Sequence, residues 1–132
     1  MRLAFRILAL TLLLVALPVW AHHSFSAQYD STKPVKMTGK VTKVEWTNPH
    51  IYFYIDVADE KTGKITNWAL EMGSPNALMR LGWSRNSMKI NDVVTVDASL
   101  AKDGSKLANV KTVVLASNGK TLLAGSSEGN TP

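Results

Sequence analysis

Hydrophobic and polar positions alternate most cleanly in HIYFYIDV, residues 50–57. Ile51, Phe53, Ile55 and Val57 fall on one face of an extended chain, and His50, Tyr52, Tyr54 and Asp56 on the other. ITNWALEM, residues 65–72, repeats the period, with Trp68, Leu70 and Met72 set against Asn67, Ala69 and Glu71. The polar stretch between them contains Gly63, which accepts a positive φ, so the two runs predict a hairpin. A register that pairs Asp59 with Lys64 puts Tyr52 opposite Glu71 and His50 diagonal to it. His50, Tyr52, Tyr54 and Glu71 then line one outer surface.

The remaining pattern predicts further short elements. In VKMTGKVTKVEW, residues 35–46, Met37 and Val41 share one parity while Val44 and Trp46 share the other. A bulge between Val41 and Val44 resolves the conflict. Ser74 suits a helix N-cap, Pro75 a first helical position and Gly82 a stop, so a helix of about two turns is expected near 75–81, with Leu78 and Leu81 turned inward. Val94, Val96, Ala98 and Leu100 align in a strand over 90–100, and a fifth strand follows over 108–116. TLLA, from Thr121, suggests a short sixth. Three strands, a short helix and two strands form the order of an OB-fold. The expected class is all-β with one short helix: a small OB-fold-like barrel of five to six strands at 37–123. Ahead of it lie an extended arm at 22–36 and, behind it, a disordered tail at 124–132.

The chain opens MRLAFRILALTLLLVALPVWA, with Arg2 and Arg6 before an apolar run and Val19 and Ala21 at small-residue cleavage positions. This predicts a signal peptide over 1–21 and a periplasmic or secreted product. The run is short of the about 20 residues a spanning helix needs, so no stable membrane anchor is expected after cleavage. A net charge of +5, part of it from Arg2 and Arg6, gives no basic stripe for nucleic acid. With no cysteine in the chain, thiolate metal sites and disulfides are excluded.

AHHSFSAQYD, GKVTKVEWTNPHIYFYIDV, WALEMGSPNALMRLGW and DVVTV with AKDGSKLANVKTVVL closely resemble a family of small exported bacterial proteins of unknown function, DUF6152, over about residues 21–123. The resemblance implies export and a β-rich domain, and it carries no activity. Asn91 stands where the family pattern suggests Gly, and Asn tolerates the positive φ such a turn needs.

Function must therefore come from the residues. There are three histidines, and His22 and His23 would open the mature chain. An N-terminal histidine can chelate a metal through its α-amine and Nδ1, and a second imidazole completes an N₃ set that suits Cu(II). This donor set is similar to a histidine brace. The arm is long enough to bring His22 and His23 back to His50, and Glu71 is a fourth ligand or an acceptor that orients His50. The expected cofactor is copper, and no catalytic residue is assigned. The plainer account gives His50 a turn-capping role after Pro49, and leaves His22 and His23 frayed. A metal-free module would instead use Trp46, Tyr52 and Tyr54 to hold a sugar, peptide or periplasmic protein partner. A copper oxygenase is a third reading, with no flat substrate surface argued by the sequence. Met37, Met72, Met79 and Met88 read as core by parity or spacing, although Met88 falls in a loop. Trp46, Trp68 and Trp83 also read first as core.

Overall fold

The computed structural model describes residues 25–126. A single helical turn, α1 (Phe25–Gln28), leads into the long strand β1 (Tyr29–Glu45). β2 (Tyr52–Ala58) and β3 (Ile65–Glu71) follow, then helix α2 (Pro75–Arg80), β4 (Val93–Ala101), β5 (Leu107–Leu115) and β6 (Thr121–Leu123). The strand order is β3-β2-β1-β4-β5-β6, and β3 also pairs with β5. That last pairing closes a ring of five strands and gives the expected small OB-fold-like barrel. An odd ring cannot alternate direction all the way round, so one pairing must be parallel. It is β3–β5, with Leu70 beside Ala108, and the other pairings are antiparallel.

Alternation in the sequence becomes a core. Val41, Ile51, Phe53, Ile55, Leu70, Val94, Val96, Val110 and Val113 are fully buried. The parity conflict in β1 is resolved by a register shift between Val41 and Lys43 against β2. The β2–β3 turn is closed by Asp59, whose Oδ1 accepts from Lys61 N at 2.9 Å and Thr62 N at 2.8 Å. Asp59 N donates to Lys64 O, which sets the predicted register. Ser74 caps α2 by accepting from Ala77 N at 3.2 Å.

Several expectations need correction. β1 begins at Tyr29, so the second half of the stretch read as an arm at 22–36 is strand, with Tyr29 and Pro34 to Lys36 paired to β4. The polar side chains hid this because Tyr29 re-enters the sheet beyond a large irregularity at residues 30–33. Ala124 to Ser126, read as the start of the tail, are packed: Ala124 is buried, Gly73 N donates to Ala124 O at 2.8 Å, and Ser126 Oγ donates to Asn109 Oδ1 at 2.6 Å. Leu81 turns outward because α2 stops at Arg80, one residue short of a continued inward face. Met79 is 52 % exposed on that same short helix. Met88 is only 5 % exposed, folded back into the core from its loop. The signal peptide at 1–21, His22, His23 and the tail beyond Ser126 lie outside the described residues.

Candidate functional site

β2 and β3 carry the centre of the site. Tyr52 stands opposite Glu71 in the ladder, and His50 lies just before β2. Ile51 N donates to Gly73 O at 3.0 Å and Met72 N to Ile51 O at 2.8 Å, so pairing continues past the strand ends. That holds the backbone beside His50 in register with Glu71.

Glu71 is the hub. His50 Nδ1–H donates to Glu71 Oε1 at 2.6 Å, and Tyr52 Oη–H donates to Oε2 at 2.9 Å. Tyr29 Oη–H donates to the same Oε2 from the start of β1. Glu71 is 4 % exposed and Tyr29 2 %. A carboxylate is affordable at such depth only when its oxygens are well supplied with donors, and three donors converge here.

The arrangement fixes His50. With Nδ1–H committed to Glu71, Nε2 is the remaining ring nitrogen on a side chain that is 44 % exposed. Ligating histidines are typically oriented by a carboxylate on the other ring nitrogen, which sets the tautomer and raises the basicity of the free nitrogen. Both tyrosines are held protonated. Burial first, then the hydrogen bond and charge of Glu71, pushes the Tyr29 and Tyr52 hydroxyls well above the ordinary tyrosine range. They therefore act here as donors.

The other residues picked from the sequence divide. Tyr54 shares the outer face, but its hydroxyl donates to Glu45 at 3.0 Å and Lys43 sits 5.2 Å from its ring centre. Glu45 in turn pairs with Lys43, and the hydrogen bonds from Lys43 and Tyr54 hold its carboxyl below the ordinary range. Trp46 is half-buried against the core, and Trp83 is buried, with Nε1–H donating to Leu123 O at 2.8 Å. His50, Tyr52 and Glu71 thus come together, and Tyr54 and Trp46 make other contacts.

Tyr29 is the member that sequence reasoning missed. Its signal was faint: one aromatic in a polar stretch whose hydroxyl meets a residue 42 positions away. A cleft of about 690 Å³ opens beside Tyr52, lined also by Ala27, Gln28, Lys102 and Asp103.

Among the described residues, no group of three or more His, Asp or Glu side chains is placed to hold a metal ion. Nor is any helix there long and apolar enough to cross a membrane. No curated protein and no solved structure matches the chain. The model of the family of unknown function DUF6152 matches residues 10–110, most of the sequence and the whole of the His50–Glu71 hairpin, and the chain belongs to that family.

Proposed function

We propose that this protein is an exported, periplasmic module that binds copper, as Cu(II), through His50 and the histidines of a mature N-terminus at His22. One observation carries the reading: Glu71 holds His50 Nδ1–H at 2.6 Å on a half-exposed side chain, the carboxylate–histidine pairing that orients metal-ligating imidazoles. In this reading Glu71 orients His50 and is not itself a ligand, because its oxygens are occupied by His50, Tyr52 and Tyr29. His22 would supply its α-amine and Nδ1, and His23 a further imidazole. The first described residues pack against this cluster. Phe25 packs its ring 5.6 Å from that of Tyr29, whose hydroxyl is on Glu71. Two residues of extended chain, the step from Phe25 back to His23, span at most roughly 7 Å.

The test is a Cu(II) titration of protein beginning at His22, followed by electron paramagnetic resonance. One equivalent should bind with several nitrogen ligands. Affinity should fall on acidification, because imidazole and amine must shed protons to ligate. His50→Ala, and one extra residue ahead of His22, should each weaken binding. If the extra residue changes neither spectrum nor affinity, the terminal amine is no ligand and the brace-like reading fails.

A second reading, a metal-free binding module, is supported by the cleft beside Tyr52. It takes the lead if the wild type binds copper no better than His50→Ala. Its occupant would be a peptide, a sugar or a periplasmic protein partner.

A further inference from the structure

The segment ahead of β1 is fastened to the barrel at several points. Lys102 N–H donates to Gln28 O at 2.9 Å, and Lys102 Nζ donates to Ser26 O. Tyr29 pairs with Ala101 in β4. The next pairing is Pro34 with Ser99, so residues 30–33 bulge out of the ladder. Within that bulge Asp30 Oδ1 accepts from Thr32 N at 3.0 Å and Thr32 Oγ1 at 2.6 Å. The bulge therefore has its own local structure, and it lets Tyr29 return to the sheet with its hydroxyl over Glu71.

Tyr29 consequently joins two things that the sequence keeps apart. Its backbone and ring belong to the N-terminal segment, and its hydroxyl belongs to the carboxylate that orients His50. A purely structural tyrosine could bond any nearby carbonyl. This one shares Oε2 with Tyr52 on the residue whose Oε1 holds His50.

We infer that Tyr29 is a positioning residue that couples the segment Phe25–Gln28 to His50 through Glu71, so that this segment and the ring of His50 share one carboxylate. The use of this coupling in metal capture rests on the copper reading above. The coupling itself does not, and it is measurable without metal.

Hydrogen bonds to one carboxylate compete. Removing one donor leaves more of the acceptor's charge for the others, and His50 Nδ1–H should bond more strongly. Tyr29→Phe removes only the hydroxyl and keeps the ring that packs on Phe25. In metal-free full-length mature protein, it should move the His50 Nδ1–H proton resonance downfield. It should also speed hydrogen exchange at the Lys102 amide, whose acceptor is Gln28 O in the loosened segment. Tyr54→Phe, on the same face but bonded to Glu45, should change neither signal. A role confined to packing would lower stability without moving the His50 proton.

Copper then separates the two ideas. In a protein that binds Cu(II) through His50, Tyr29→Phe should weaken binding at least about tenfold and change the nitrogen hyperfine pattern. Unchanged metal-free signals overturn the coupling. Shifted metal-free signals with unchanged copper affinity overturn its role in positioning the ligands. If the wild type binds copper no better than His50→Ala, the copper reading falls, and the proton shift and Lys102 exchange alone decide on Tyr29.

Discussion

Tyr52 faces Glu71 directly across β2 and β3, and its hydroxyl reaches Glu71 Oε2 at 2.9 Å. Directly opposed residues on one sheet face are close enough for such a bond. The relationship makes Glu71 a receiver of donors from its own sheet, and the Tyr29 hydroxyl then covers it from the start of β1.

Glu71→Ala follows from that geometry. The variant leaves the Tyr29 hydroxyl buried without its acceptor and frees the His50 ring. Stranding a buried donor costs about 1–3 kcal/mol, more when the lost acceptor is charged. Urea unfolding should therefore show a loss of at least about 2 kcal/mol. Glu71→Gln keeps the volume but aims an amide NH₂ at one of the present donors, and should lose less. A loss under about 0.5 kcal/mol for the alanine variant would mean that the hub contributes little to the fold.

Gly39 presents a different kind of constraint. A Cβ there would lie 2.5 Å from the Asp56 carbonyl oxygen and 3.1 Å from Ile55 Cδ1. Lys40 pairs with Asp56 in the adjacent ladder position, so β1 and β2 cannot separate locally without losing that pairing. Gly39→Ala should destabilise by about 1–3 kcal/mol, the range for overpacking against atoms that do not move aside. Equal urea midpoints for variant and wild type would show that the two strands have slack at this point.

Why the hairpin could be read from the sequence, and the hub only in part, has a physical answer. Alternation at 50–57 and 65–72 encodes which side each residue takes, and the Asp59–Lys64 closure fixes the register. Those two facts are local. The burial of Glu71 is not, because it depends on Tyr29 arriving from the far side of β4's pairing with β1. Nothing in the polar stretch 22–36 encodes that arrival except the tyrosine itself. Met79 and Met88 show the same limit. Spacing cannot tell which side of a six-residue helix or which loop residue reaches the core, and here the loop residue does.

Asn91 sits at φ 74°, in the left-handed region, while its N–H donates to Val41 O at 2.8 Å. The sequence already suggested a turn that favours Gly or Asn here, and the conformation agrees. Asn91→Gly should fold with stability within about 0.5 kcal/mol of wild type, since Asn carries only a small penalty in this region. Asn91→Ala should lose about 1 kcal/mol, because its Cβ meets the following carbonyl with no local hydrogen bonding to compensate. Thermal melts of the pair decide the matter. An alanine variant as stable as the glycine variant would show that the turn relaxes out of this conformation.

The tyrosines give the fold a limit on the alkaline side. All three are pushed above the ordinary range, with burial the leading cause at each. Tyr29 also feels Glu71, Tyr52 and Asp103; Tyr52 feels Glu71, Tyr54 and Glu45; and Tyr54 feels Glu45, offset in part by Lys43. An unfolded chain ionises its tyrosines near pH 10. The folded chain keeps them protonated, so above that pH unfolding releases protons and becomes easier. The stability contributed by these hydroxyls is thus complete below about pH 10 and is lost as pH climbs toward their folded values. Near-ultraviolet absorbance should show little tyrosinate in native protein at about pH 10, where urea-unfolded protein is about half ionised. The urea midpoint should fall steadily above that pH, and less steeply for Tyr29→Phe, which removes a strongly shifted group. Native and unfolded protein ionising together would mean that the Tyr29 and Tyr52 hydroxyls are not held by Glu71 in solution.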